Sequence, residues 1–279
     1  MTPWDNGERP VERPFGLAGW LRVIVRGSVL GCVTFGGLIL LLVVRLVERP
    51  LCGLHRPVTP YITQAVCIAA FVILGIRRRV VGAPMPEHGA IVANHASWLD
   101  IFVLNASKRI YFVSKAEVAG WPGIGWLARA TGTVFIARRA ADAKAQQKVF
   151  EDRLSAGHKL LFFPEGTSTD GRRVLSFKST LFAAFFTPGV PADMAIQPVS
   201  VSYVAPDGVE ATFYGWWGDM SFGTHLLMVL AAPTQGRVVV RYHTPIAVAD
   251  VPNRKDLARQ CEAAIRAGLA ADGISEAAP

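Results

Sequence analysis

Short apolar runs alternate with amphipathic segments through the last two thirds of the chain, and this pattern predicts an α/β domain. Four segments have helical patterning, at residues 98–106, 124–130, 141–156 and 253–269. We therefore expect a mixed sheet flanked by helices, with a frayed end after residue 269. The apolar runs with the length of buried strands cover residues 90–93, 110–113, 133–137, 159–163, 196–203 and 237–242.

The first third of the chain has a different pattern. Residues 27–44 and 57–76 carry no charge, and each stretch is near the ~20 residues needed to cross a bilayer core. A soluble protein buries such runs in core helices, but two adjacent runs flanked by arginines are unusual there. A secretion signal does not fit, because the first run lies far from residue 1 and charged residues follow it. We expect a membrane-embedded two-helix segment, which either spans the bilayer or dips into one leaflet and returns.

These patterns divide the chain into three parts. Residues 1–15 are rich in proline, glycine and charge and are expected to form a flexible tail. Residues 16–80 form a membrane-associated helical hairpin, and residues 81–279 form the α/β domain. Arginines flank both apolar runs, so they do not define an inside face. We expect those at 77–79 to contact anionic headgroups.

The net charge of the chain indicates which kind of partner it binds. The net charge is +8, which suits either nucleic acid or an anionic membrane surface. Zinc-finger spacing and RNA-binding motifs are missing from the sequence, so we expect membrane lipid and no nucleic acid. The four cysteines form no close pair, which indicates a reducing compartment and a site facing the cytoplasm from the inner membrane.

His95 and Asp100 are candidates for acid–base chemistry. On one regular helix, residues five apart differ by roughly 140° and their side chains diverge. The pair can meet only if His95 precedes the helix and Asp100 lies within it. The strand-like run 90–93, with Ser97 as a candidate N-cap, predicts this arrangement. Asp100 would then orient a histidine base toward a substrate hydroxyl, although a purely structural pair is the alternative.

Glu165 lies in a Pro-Glu-Gly-Thr turn directly after the apolar run 159–163. Gly166 allows this turn unusual dihedrals. The carboxylate can accept hydrogen bonds from a substrate or pin neighbouring loops, and the sequence leaves both open.

The segments 94–100, Asn-His-Ala-Ser-Trp-Leu-Asp, and 163–167, Phe-Pro-Glu-Gly-Thr, occur in this order. Together they resemble the two main signatures of the glycerolipid acyltransferases, the family that includes 1-acyl-glycerol-3-phosphate acyltransferase. Weaker likenesses lie at 114–117, 132–138 and 196–199, so the resemblance covers roughly residues 90–201.

The resemblance implies a membrane-bound transferase that moves a fatty acyl chain from acyl carrier protein or acyl-CoA to the hydroxyl of a lysolipid. It implies no metal and no organic cofactor. His95 and Asp100 map onto the catalytic pair, and Lys115 onto a residue that stabilises the oxyanion. The acceptor-binding positions that it implies are Arg138, Glu165, Gly166, Thr167, Ser168 and Arg172.

One departure concerns the acceptor. Phosphatidic-acid-forming members carry an arginine after Glu-Gly-Thr, where this chain has Ser168, and serine cannot make a bidentate contact with phosphate. The form Glu-Gly-Thr-Ser-Thr-Asp-Gly resembles lyso-ornithine lipid acyltransferases, and we favour that acceptor. A phosphate held by Arg172, Arg173 or Lys178, and hence 1-acyl-glycerol-3-phosphate acyltransferase activity, is the alternative.

Two further classes are weighed against a transferase. A metal-dependent lipid hydrolase would use His95, Asp100 and Glu165 as ligands, but one histidine makes a poor zinc site. A non-catalytic membrane adaptor would have no use for an oriented base.

Overall fold

The structure is a computed structural model that describes residues 4–10, 14–87, 89–136, 143–187 and 193–274, without the side chains of 143–147. The helices and strands alternate along the α/β domain, as the sequence pattern predicts. The helices are α1 Leu17–Cys52, α2 Thr59–Leu74, α3 Leu99–Ser107, α4 Ile124–Thr131, α5 Ala143–Ser155, α6 Phe222–Ala231 and α7 Arg254–Ala271. The strands are β1 Arg77–Val81, β2 Gly89–Ala93, β3 Tyr111–Lys115, β4 Val134–Ile136, β5 Leu160–Phe162, β6 Ala195–Val204, β7 Arg237–Tyr242 and β8 Ile246–Ala247.

The strands form one mixed sheet in the order β1-β7-β6-β2-β5-β3-β4, with β8 pairing β6. From β6 to β4 all neighbours are parallel, whereas β7 runs antiparallel to β6. The mixed sheet predicted from the sequence is confirmed. The carboxyl ends of β2, β5 and β6 meet at one edge, where open α/β sheets bind ligands.

Helices cover both faces of the sheet, because the side chains of a strand point alternately to opposite sides. In β2, Ile91 and Ala93 join the cluster formed with α2, α3 and α6. Ala90 and Val92 join the opposite cluster, formed with α5 and α7. Burial on both faces explains why the central strands read as continuous apolar runs.

Of the described helices, α1 alone is long and apolar enough to cross a membrane. One of its faces exposes large apolar side chains such as Leu21, Ile39 and Leu46. Helix α2 instead buries Phe71 and Leu74 in the core layer. At ~1.5 Å per residue it is also too short to span about 30 Å. The predicted two-helix membrane segment is therefore supported for α1 only.

The boundary of the predicted hairpin also differs. Residues 77–81 form strand β1, which pairs in parallel with β7 at the sheet edge. The arginines at 77–79 are therefore strand residues rather than the end of a membrane helix. The α/β domain starts at this strand, earlier than residue 81.

Two arginines of α1 attach it to α6. Arg22 Nε donates to the Ala231 carbonyl at 2.7 Å. Arg26 donates to the carbonyls of Leu230 and Ala232 at 2.9 and 2.7 Å. The last carbonyls of a helix have no intrahelical partner and carry partial negative charge, so guanidinium groups cap α6 here.

Residues 4–10 and 270–274, which the sequence analysis places in a flexible tail and a frayed end, make contacts with the α/β domain. Within residues 4–10 of the predicted tail, Arg9 pairs with Asp219 and Asn6 accepts a hydrogen bond from Trp217. At the other end α7 continues to Ala271, and Asp272 accepts from Ser202 at 3.0 Å and pairs with Arg241. Residues 4–10 and 270–274 are therefore attached to the domain.

Candidate active site

The two sequence motifs meet because β2 and β5 are neighbouring parallel strands. His95 follows the carboxyl end of β2, and Glu165 follows the carboxyl end of β5. The loops after both strands therefore lie at the same edge of the sheet. Asn94 fixes the first loop to β6, since its side chain donates to the Val201 carbonyl and accepts from the Val201 N–H.

His95 and Asp100 form a hydrogen-bonded pair. Helix α3 begins at Leu99, so His95 precedes it and Asp100 lies in its first turn, as the spacing predicts. The His95 Nδ1 lies 2.8 Å from Asp100 Oδ2. A carboxylate at this distance accepts from Nδ1–H, which assigns the tautomer and leaves Nε2 as the basic nitrogen. Ser97 does not cap the helix: its Oγ is buried without a partner among the described residues.

Asp100 is fully buried and is held by four donors. Its Oδ2 also accepts from the N–H groups of Ala96 and Ser97, at 2.8 and 3.0 Å. Its Oδ1 accepts from the Tyr203 hydroxyl at 2.9 Å. Burial and the neighbouring carboxylate raise the pKa of Tyr203, so its hydroxyl stays protonated and donates. The carboxylate thus has a fixed orientation toward His95.

The His95 ring is supported on its flat side by Phe163, with ring centroids 4.1 Å apart and planes inclined by 11°. The ring lines an apolar cavity of about 300 Å³ that extends between α1, α2 and α4. No Asp, Glu, Lys or Arg of the described chain lines this cavity. Its walls near His95 include Trp98, Trp216 and Phe222. A base therefore faces a space suited to a hydrocarbon chain.

Glu165 pins the loops rather than facing open space. It is 1% exposed. Its Oε1 accepts from the backbone N–H of His95 and its Oε2 from that of Leu175, both at 2.7 Å. Burial raises the pKa of Glu165 to about 8, although the two N–H donors favour the carboxylate. Of the two roles left open by the sequence, these contacts match loop pinning.

The rest of this loop lies against the same histidine. The Thr169 N–H donates to the His95 carbonyl at 2.9 Å, so the backbone of His95 is held on both sides. Gly166 has φ 73°, and a Cβ there would lie 2.5 Å from Lys178 Nζ. Any other residue would be strained at this φ, and the end of the Lys178 side chain would have to move.

The other predicted site residues lie on the loop after Glu165, at the end of β3, or outside the described residues. Thr167 and Arg172 are partly exposed on the loop after Glu165, and Ser168 is nearly buried. Lys115 is the exposed last residue of β3, next to Ser114, which lines the cavity. Arg138 lies outside the described residues. Within the described ranges, no three His, Cys, Asp or Glu side chains are grouped to hold a metal ion.

Sequence reasoning missed Tyr203, Phe163 and the pair formed by Trp98 and His225. The indole N–H of Trp98 donates to His225 Nδ1 at 2.8 Å, and His225 Nε2 lies 3.2 Å from the Phe213 carbonyl. Burial lowers the pKa of His225 to about 4, so the ring is neutral and can accept. This bond fixes one wall of the cavity, and its two residues are 127 positions apart, so no local pattern indicates it.

Replacing His225 by leucine leaves the buried indole N–H of Trp98 without an acceptor. We expect the free energy of unfolding to fall by about 1–3 kcal/mol. Trp98→Phe removes the donor, so the double variant should lose less stability than the sum of the single variants. Unfolding of the detergent-purified variants measures this coupling, and simply additive losses would contradict it.

Known proteins are similar to this chain in sequence. Residues 77–202 match the protein family described as Acyltransferase. A lyso-ornithine lipid O-acyltransferase of Rhodobacter capsulatus is 59% identical over 95% of this chain and 96% of its own. A 1-acyl-sn-glycerol-3-phosphate acyltransferase of Neisseria meningitidis is 32% identical over 69% of this chain and 74% of its own.

The fold has a counterpart among solved structures. The crystal structure of a 1-acyl-sn-glycerophosphate acyltransferase from Thermotoga maritima superposes with a TM-score of 0.65. It is 21% identical and covers 93% of this chain and 98% of its own. Because it matches these relatives over most of their length, this chain belongs to the acyltransferase family.

Proposed function

We propose that this chain transfers a fatty acyl group from a thioester to the free hydroxyl of lyso-ornithine lipid, giving ornithine lipid. The observation that carries the proposal is the 2.8 Å contact of His95 Nδ1 with Asp100, on a ring that lines an apolar cavity. A structural pair in a soluble core would not need such a cavity beside it.

His95 and Asp100 have different roles in the proposed reaction. His95 Nε2 takes the proton of the acceptor hydroxyl as its oxygen attacks the thioester carbonyl carbon. Asp100 stabilises the imidazolium that forms, because its carboxylate is fixed by three further donors. The tetrahedral anion collapses, the C–S bond breaks, and the thiolate leaves with the proton from His95. The products are an ester and a thiol.

The cavity is suited to an acyl chain. Its lining comes from α1, α2 and α4 and carries no charged side chain within the described residues. Burying a chain there contributes roughly 0.8 kcal/mol per methylene. A chain held in this space would place its carbonyl carbon beside His95. We assign stabilisation of the oxyanion to Lys115, at the end of β3.

The loop after Glu165 supports an acceptor without phosphate. Ser168 is small and nearly buried, so it presents no cation to a phosphate. Arg172 is partly exposed on the same loop and is assigned to the carboxylate of an amino-acid headgroup. Arg138 is assigned to the acceptor headgroup by the family likeness. The name of the Rhodobacter capsulatus relative agrees with this acceptor.

The proposed reaction also needs an acyl donor and a defined side of the membrane. The donor is acylated acyl carrier protein or acyl-CoA, since both contain the required thioester. The cysteines are free in the structure, which is consistent with a site on the cytoplasmic face of the inner membrane.

A direct comparison of acceptors tests the function. Membranes from cells that express the protein would be incubated with lyso-ornithine lipid or with lysophosphatidic acid, side by side. Each acceptor would be tested with acylated acyl carrier protein and with acyl-CoA, both labelled in the acyl chain. We expect labelled ornithine lipid as the main product. Phosphatidic acid alone would replace the proposal with the 1-acyl-glycerol-3-phosphate acyltransferase alternative, which the Neisseria relative represents. Release of free fatty acid without transfer would indicate a hydrolase.

A further inference from the structure

A second cleft lies outside the proposed reaction site, between the C-terminal half of α1, the turn that follows it, and α4. Its volume is about 510 Å³. Four arginines line it, and we call it the arginine cleft: Arg45, Arg49, Arg56 and Arg129. The apolar residues between them are Leu38, Leu42, Leu54, Trp126 and Ala130.

Most of the positive charge in the arginine cleft is not neutralised. Arg45 pairs with Glu48 at 3.0 Å, and no carboxylate of the described chain lies within ion-pair distance of the other three. Arg56 and Arg129 donate to the carbonyls of Ala130 and Ala119, which carry no net charge. A guanidinium has five N–H donors, so one carbonyl leaves donors for an anion.

The Glu48 carboxylate also binds the residues at the start of α2. Its Oε1 accepts from the N–H groups of Val58 and Thr59, at 2.8 and 3.0 Å. Its Oε2 accepts from the Thr59 hydroxyl at 2.7 Å, and Arg45 supplies the remaining contact. The carboxylate therefore fixes the start of α2 against α1, and its hydrogen bonds are made without Arg49, Arg56 or Arg129.

The apolar part of the cleft continues into the exposed face of α1. Leu42 and Leu46 are 48% and 76% exposed there, and Trp126 on α4 is 60% exposed. Tryptophan favours the level of lipid headgroups, and arginine binds phosphate with two parallel hydrogen bonds. Phosphate groups beside a hydrocarbon surface are the chemistry of an acidic phospholipid.

We propose that the arginine cleft binds the headgroup phosphate of an acidic phospholipid, whose chain lies along the exposed face of α1. The site is separate from the reaction chemistry, but it touches the same helix. Leu127 and Thr131 of α4 line the apolar cavity, whereas Trp126 and Arg129 line the cleft. A bound lipid would therefore hold α4 against α1 and stabilise one wall of the acyl cavity.

Ligand-dependent unfolding of the full-length protein tests the site without using activity. The purified protein would be heated in uncharged detergent with increasing phosphatidylglycerol, and in parallel with phosphatidylcholine. We expect a saturable rise in Tm with phosphatidylglycerol and none with phosphatidylcholine, because a ligand that binds the folded state stabilises it. Equal effects of the two lipids would overturn the proposal.

Matched variants locate the effect. Arg49→Gln with Arg129→Gln should weaken the apparent affinity for phosphatidylglycerol by about tenfold or more, through lost charge-assisted hydrogen bonds. Arg254→Gln with Arg259→Gln removes the same charge from α7, on the opposite layer of the sheet, and should change nothing. Unchanged affinity in the first pair would refute the site.

The single variant Arg49→Gln removes a side chain with no hydrogen bond among the described residues, so the site can still be tested if the double variant does not fold.

Coenzyme A distinguishes a lipid site from a donor site, because it supplies phosphates without a lipid. Saturation by coenzyme A, with none by phosphatidylglycerol, would assign the cleft to the acyl donor and overturn the lipid proposal.

Discussion

Replacing His95 by alanine is expected to lower the turnover of lyso-ornithine lipid by roughly 10²- to 10⁴-fold, the contribution typical of a positioned general base. The ring is 21% exposed and lines the cavity, so its loss removes a base without removing a core side chain. Purified enzyme with labelled acyl donor and saturating acceptor gives the rate.

His243→Ala is the matched control for this variant. That ring hydrogen-bonds Ser200 and does not line the cavity. We expect a near wild-type rate, while both variants should unfold at similar temperatures. A His95→Ala enzyme with an undiminished rate would reject the general-base assignment.

Glu165→Gln is expected to impair both stability and turnover. Each oxygen of the Glu165 carboxyl group accepts a backbone N–H, one from His95 and one from Leu175. An amide has only one acceptor oxygen, so its NH₂ group must face one of these donors. The buried mismatch should cost about 1–3 kcal/mol of unfolding free energy. A displacement of His95 by about 1 Å would reduce turnover by roughly 10²-fold.

The kinetic pattern separates the two roles that the sequence left open for Glu165. A positioning role predicts a lower kcat with little change in the KM for the acceptor, whereas direct acceptor binding predicts a raised KM. Glu87→Gln, at an exposed position before β2, provides the matched control. A large rise in KM alone would move Glu165 from loop pinning to acceptor binding.

The parts of the fold that local pattern determines could be predicted. The apolar runs of β2, β5 and β6 are long enough to identify buried strands, and Pro-Glu-Gly-Thr marks the turn after β5. The five-residue spacing of His95 and Asp100 requires the strand–helix junction that the structure contains. Joining the two motifs also needed the family resemblance, because strand order is not written in local sequence.

The missed parts depend on contacts between distant residues. Strand β1 begins with three arginines at a sheet edge, where exposed side chains give no apolar alternation. Tyr203 is the penultimate residue of β6, which is buried on both faces, so periodicity does not indicate which side its hydroxyl faces. The side of α2 that packs in the core could not be told from a lipid-facing side, since both are apolar.

The capping of α6 by Arg22 and Arg26 gives helix α1 a structural role in the α/β domain. Val23 and Leu30 of the same helix are buried in the main core, so the helix is a structural member of the catalytic unit as well as its attachment to lipid. Arg22 and Arg26 bind the end of α6, and His225 of α6 accepts a hydrogen bond from Trp98, which lines the cavity beside His95. We therefore expect a shift of α1 to move this wall of the cavity.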